Sequence, residues 1–359
     1  MSLIDAAVNF LTGPVAFFFV SVILFLASVQ FAEVWTRPKV AGGLAALLVL
    51  FVAYAATKPP VAATLAKADN LPIVIVVALL GFLYWLAMKQ AVDNDRRIAA
   101  GEPPREASEK NRKVLVWPDL VYTELIAMVV CVVVLVAWSM LVRAPLEEPA
   151  NASQTPNPAK APWYFLGLQE ILVYFDPWWA GVGLPGTIMM GLIAIPYIDR
   201  NPKGNGYFTL QERKVAITIF CFGFFILWVL LAFIGTFLRG PGWNFFGLFQ
   251  DWDANYVAEL NNINLSEIVW VKMLGTREPT FWLTREIWGL LALGFYMGVL
   301  PVILATTVLK KTFRELGALR FGVVVNLGLL MAALPLKMIL RWTLNLKYVL
   351  YLPEIQTNV

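Results

Sequence analysis

Eight apolar runs, each long enough to cross a lipid bilayer, constrain this chain more than any other feature. They cover roughly residues 13–35, 39–57, 71–90, 119–143, 182–199, 214–238, 286–309 and 320–342. A helix needs about 20 apolar residues to span the hydrocarbon layer. The composition agrees, with 59% hydrophobic and only 14% charged residues. The expected class is therefore an all-α, polytopic membrane protein with about eight transmembrane helices. Pro185 and Pro196 lie inside the shortest run and predict a kinked helix there.

Most of the basic residues fall in one alternate set of connections: Arg37 and Lys39, the stretch from Lys89 to Lys113, the group from Arg200 to Lys214, and the group from Lys310 to Arg320. The positive-inside tendency assigns these to the cytoplasm and both termini to the outer face. The net charge of +4 says little by itself, because the basic residues are distributed by topology; membrane lipids are expected as partners and nucleic acid is not. The N-terminus has no basic region followed by a cleavage site, so no removable signal peptide is expected. Cys131 and Cys221 both lie in apolar runs, where they read as packing.

The connections divide the chain into a three-helix part over 1–90, a charged linker over 91–117 with Pro103-Pro104 in its middle, a central part over 118–309, and a further helix and tail over 310–359. The longest break between runs holds Asn157-Pro158-Ala159-Lys160-Ala161-Pro162-Trp163-Tyr164-Phe165-Leu166-Gly167-Leu168-Gln169-Glu170. The prolines stop regular structure, and the order after Pro162 predicts a short amphipathic helix on the membrane boundary, in the outer loop after the fourth span. The loop from Arg239 to Thr284 is rich in aromatic residues. It reads equally as a partner or cofactor contact and as rings resting on lipid.

The chain has no histidine. Paired histidines usually hold haem b in membrane cytochromes, and c-type attachment needs Cys-x-x-Cys-His. No haem ligand and no metal site is expected in this chain, so a redox centre it serves belongs mostly to another subunit.

Several motifs in order resemble the C-terminal half of cytochrome b in cytochrome bc-type quinol oxidoreductases, which is called subunit IV where the gene is split. They are Pro118-Asp119-Leu120-Val121-Tyr122, the stretch from Arg143 to Asn151, Ala161-Pro162-Trp163-Tyr164-Phe165, Ala194-Ile195-Pro196-Tyr197-Ile198-Asp199, and Arg239-Gly240-Pro241-Gly242-Trp243-Asn244. The resemblance covers roughly 112–245 and, more loosely, the run at 286–309. It implies an inner bacterial membrane and a complex using quinone and quinol. Haem b would be held by a cytochrome b N-terminal subunit and the iron–sulfur cluster by a Rieske-type protein, with a c-type cytochrome as a further partner. Oxidation of quinol outside and reduction of quinone inside would couple electron transfer to proton translocation.

One departure matters for the chemistry. The family has an acid before Trp-Tyr, thought to take the quinol proton, and here that position is Pro162. Quinol oxidation still needs an acceptor in a dry pocket. Glu170 lies eight residues on, a spacing that puts both on one face of a continuous helix, and is the expected substitute. Tyr164 is its expected hydrogen-bonding or gating neighbour, and Pro162, Trp163, Phe165 and Leu166 are expected pocket walls. The alternative is that Glu170 is an interfacial acid satisfied by water or an arginine. At the inner site the resemblance assigns proton delivery to Asp119, for which a helix N-cap is the plain alternative. Glu124, deeper in the same helix, is expected near a pocket or proton path. Arg143, Arg239, Arg285 and Arg341, near outer helix ends, read as snorkelling. A structural or assembly subunit with a decayed pocket is the main rival reading. A secondary transporter predicts repeats that are not seen.

Overall fold

The computed structural model describes residues 2–67, 70–108, 114–142, 149, 151–153, 155–200, 207–257, 261–355 and 357–359. The stretch 143–148, part of one motif, lies outside the described residues. Seven helices are long and apolar enough to cross a membrane, and a bent pair brings the number to eight. Each of the eight apolar runs has its helix, and the protein is an all-α, multi-pass membrane protein.

The first helix, Leu3–Leu11, starts on a reciprocal cap in which Ser2 Oγ accepts from the Asp5 N–H and Asp5 Oδ2 accepts from the Ser2 N–H, both at 3.1 Å. Thr12 and Gly13 interrupt it before Pro14 opens the helix Pro14–Gln30, and the two are bent by 79°. The next three spans are Pro38–Ala55, Pro72–Ala99 and Val116–Leu141. Each of the first two begins on a proline whose missing N–H would have had no helical partner anyway. The expected linker over 91–117 is helical up to Ala99 and continues the third span.

Trp179–Ile198 joins a wide π-type turn, Trp179–Gly183, to an α-helix in which Pro185 occupies the first turn and Pro196 the last. Pro185 directly follows the π-type turn, while Pro196 lies inside the helix, where its missing N–H removes a bond to the residue four before it. Lys214–Leu238 alternates α-helix with two π-type stretches, Phe222–Val229 and Ile234–Leu238. Ile287–Thr306 is followed by Lys310–Leu344, which breaks at Gly317 with φ +75°, a left-handed value that glycine adopts without strain. A two-stranded ribbon, Tyr351–Leu352 with Thr357–Asn358, ends the chain.

The chain forms two compact units. The first comprises Met1–Trp163, Asn205–Cys221 and Phe245–Ala254. In it the aromatic loop is docked, because Thr12 Oγ1 accepts from the Leu248 N–H at 3.0 Å and Asn9 Oδ1 from the Phe249 N–H at 2.8 Å. Phe249 also meets the Tyr54 ring edge-on at 5.9 Å. This part of the loop therefore packs on the N-terminal helices instead of resting on lipid. Asn94, 2% exposed, gives its amide to Glu106 Oε2 at 2.7 Å and to the Phe208 carbonyl at 2.9 Å, and accepts from the Arg105 N–H. Asp95 Oδ2 accepts from Leu210 and Gln211 N–H, both at 3.1 Å. The two basic connections of this unit are thus bonded to each other and lie on one side of the membrane.

The second unit comprises Tyr164–Gly204, Phe222–Asn244 and Asn255–Val359. Ile263 and Leu346 form a parallel bridge, and buried Glu286 accepts from Arg285 Nε and the Tyr351 N–H, both at 3.0 Å. Gly289 sits against the Val349 carbonyl with no room for a side chain.

Candidate functional site: a clamped loop helix

The loop after the fourth span contains the expected short helix. A 3-10 turn, Trp163–Phe165, runs into the α-helix Leu166–Ile171. Pro162 precedes the first turn, so the expectation that Pro162 and Glu170 share one face of a continuous helix does not hold. The spacing of eight needs two full turns, and the proline ends regular structure on its upstream side.

Within the second unit this helix lies backbone-close on Phe222–Leu238. A Cβ on Gly167 would stand 3.3 Å from the Trp228 carbonyl oxygen, and one on Gly235 would stand 3.3 Å from both Leu166 Cβ and the Leu166 carbonyl. Two glycines therefore permit a crossing that larger residues would hold apart. One turn beyond Leu166 and Gly235 on their respective helices stand Glu170 and Arg239. Arg239 Nε donates to Glu170 Oε2 at 2.9 Å and its terminal nitrogen donates to Oε1 at 2.6 Å. The planar guanidinium matches both carboxylate oxygens. A further Arg239 N–H reaches the Trp243 carbonyl at 2.8 Å.

Glu170 is completely buried, and Tyr174 on its flank is 2% exposed. The Tyr174 hydroxyl approaches Glu170 Oε1 at a long 3.4 Å and its ring meets Trp342 edge-on. Burial, and then the adjacent Glu170 charge, push the Tyr174 phenol well above its ordinary value. An ionised phenol there would lack solvation and face a carboxylate. The arginine among the two satisfying partners considered for Glu170 is the one the structure provides.

On the other side of the same short helix, Tyr164 and Phe165 are exposed, and their ring centroids are 4.7 Å apart. Leu166 is buried. Pro162 is exposed and Trp163 half-buried; both belong to the first unit. The first unit also holds Asp119 and Glu124, so neither shares a unit with Glu170. Asp119 is exposed, in a wide turn over Val116–Leu120, and the following helix Val121–Leu141 starts on Leu120 without a side-chain cap bond. The N-cap reading of Asp119 is therefore not seen. Glu124 is exposed on a span that buries none of its own residues.

Snorkelling also fails for two of the arginines. Arg239 is only 9% exposed and pairs with Glu170, while Arg285 bonds Glu286, Glu354 and the Tyr351 carbonyl. Arg341 donates to Asn262 and to the Asn345 carbonyl, and Arg143 lies outside the described residues. Arg239 is the site residue that sequence reasoning missed. No local signal marked it, because the connection that holds Glu170 also carries Glu147, Glu148 and Asp176.

A multi-span helical protein with a loop helix fixed by a buried ion pair, one aromatic face open, is the class that fold and site define. Residues 149–245 match the family model described as cytochrome b(C-terminal)/b6/petD. This part of the chain is similar to the cytochrome b C-terminal type, and residues 1–148 and 246–359 lie outside the match. No solved structure matches the chain. The family belongs to cytochrome b-type redox complexes, which are oxidoreductases involving haem and quinone, and it implies partnership with a cytochrome b N-terminal region.

The donor set here does not fit a haem held by paired histidines, because the chain contains none. The exposed, adjacent Tyr164 and Phe165 rings and the Tyr164 hydroxyl are groups of the chemical kind that contact a quinone ring.

Proposed function

We propose that this chain is a subunit of a bacterial quinol:cytochrome c-type oxidoreductase, with both termini on the outer face. The loop helix forms a wall of the outer, quinol-oxidising pocket. Asp119 and Glu124 contribute to an inner, quinone-reducing pocket completed by other subunits. Haem b belongs to a cytochrome b N-terminal subunit, and a Rieske-type iron–sulfur protein and a c-type cytochrome complete the electron path. The observation that carries this reading is the exposed Tyr164–Phe165 face on a helix anchored by Glu170–Arg239, inside the segment that matches the cytochrome b C-terminal family.

Bound quinol supplies two electrons and two protons, and this chain's residues orient the ring and receive a proton. Tyr164 and Phe165 offer ring contact and one hydroxyl. Buried Leu166 seats them on the neighbouring span. Closed, the Glu170–Arg239 fork positions this wall. Glu170 accepts a proton only when the fork opens, since a neutral acid gives up the charge-assisted bonds that hold it. Glu124 supports the inner assignment because a membrane acid on a span that buries none of its own residues is costly unless a partner chain covers it.

Turnover of the intact complex with Glu170→Gln tests the reading against a purely structural subunit. The proposal expects quinol oxidation to fall and its pH dependence to flatten. Unchanged quinol oxidation would favour the structural role.

A further inference from the structure

Among the described residues, the end of the last span gathers cations without a matching anion. Lys337, on Lys310–Leu344, is 4% exposed, and its Nζ has no hydrogen-bond partner among the described residues. The ammonium lies 5.6 Å from the Phe175 ring centre and 6.0 Å from that of Tyr348. Lys347 Nζ stands 5.5 Å from the same Tyr348 ring and gives one bond, at 3.3 Å, to the Val173 carbonyl. Arg341, one turn beyond Lys337, keeps donors to spare after bonding Asn345 and Asn262. The acid closest in effect, Asp176, acts on Lys347, but its two oxygens already accept from the Trp178 N–H and from Asn358 Nδ2.

Ring faces attract a cation, yet they cannot replace the hydrogen bonds an ammonium loses on burial. Two lysines sharing one ring also repel each other. An anion with several acceptor oxygens would relieve both faults, and a phosphate has that form.

We propose that Lys337, Lys347 and Arg341 hold the phosphate of an anionic phospholipid headgroup at the end of the last span. The surroundings favour a lipid over a free ion. The cations lie in and just beyond the last two turns of an apolar helix, among the rings of Tyr174, Trp342 and Tyr348, as residues at a membrane boundary do. Leu336 and Leu344, 43% and 50% exposed, offer apolar surface beside them for acyl chains. The three cations lie outside the cytochrome b-type segment, and the proposal does not depend on the quinone reading.

The test uses the full chain, in the complex in which it purifies, stripped of lipid by detergent. Micelles containing phosphatidylglycerol, micelles of phosphatidylcholine, and inorganic phosphate are titrated separately at fixed ionic strength, with melting temperature and retained lipid mass as readouts. Phosphatidylglycerol alone is expected to raise the melting temperature and to be retained. Lys337→Met should weaken that response about fivefold, as expected for one interfacial cation, and Lys337→Arg should retain it. Lys347→Gln, at a half-buried position, serves where Lys337→Met does not fold. An equal response to phosphatidylcholine overturns the proposal, as does one to inorganic phosphate alone. So does an unchanged phosphatidylglycerol response in both charge-removing variants, or a cross-link from Lys337 to a carboxylate of a co-purifying subunit in place of lipid.

Discussion

Leu166 and Gly235 meet so closely that a Cβ on the glycine would lie 3.3 Å from the leucine's Cβ and carbonyl oxygen. Gly235→Ala forces the loop helix away from the span by a few tenths of an ångström, at a cost of roughly 1–3 kcal/mol for overpacking. Gly186 has no heavy atom within 4 Å of an added Cβ, so Gly186→Ala should be neutral or stabilising by up to about 1 kcal/mol. Opposite changes in melting temperature for these two substitutions would support the close crossing. Equal changes would count against it.

Glu170 and Arg239 form a buried pair, and removing one partner leaves the other charge stranded. Arg239→Leu should destabilise the protein by about 3–5 kcal/mol, whereas the double change Glu170→Leu with Arg239→Leu should recover much of that loss. A double-mutant cycle on thermal stability reads the coupling. Additive effects would deny the pair its anchoring role.

The raised Tyr174 phenol sets a dependence on alkaline pH. Folding favours the protonated form, so its contribution is fully present below the ordinary tyrosine value of about 10 and is lost as pH rises toward the higher folded value. Melting temperature should therefore fall more steeply above that pH in the wild type than in Tyr174→Phe. Parallel curves would show that Tyr174 titrates like an exposed phenol.

Asn94 joins Arg105, Glu106 and Phe208 through three hydrogen bonds at a buried position. Asn94→Ala should cost about 1–3 kcal/mol through the groups left unpaired. Asn94→Asp should also destabilise, because it places a second carboxylate at 2.7 Å from the position of Glu106 Oε2. A stable Asn94→Asp variant would contradict the donor assignment.

The spans were legible because apolar length is a local property, and all eight runs have helices. The loop helix was legible for the same reason: Pro162 marks its start and the order of rings and leucines marks its face. What the sequence did not disclose are the relations across distance. Glu170 and Arg239 are 69 residues apart, and nothing local distinguishes a paired arginine from a snorkelling one. The crossing glycines, Gly167 and Gly235, look like any glycines in apolar runs. The π-type stretches of Lys214–Leu238 also leave no period in a run that is apolar on every side. The docking of Phe249 on the N-terminal helices was hidden because its partner Asn9 stands 240 residues away.

The central claim is that this chain works as one part of a quinol-oxidising complex whose haem lies on another subunit. The most direct measurement is affinity purification of the tagged full chain from native membranes, followed by a reduced-minus-oxidised spectrum with quinol as reductant. The account predicts a b-type haem reducible by quinol, carried by a separate co-purifying chain with paired membrane histidines. A stable, complete assembly containing no b-type haem would contradict it.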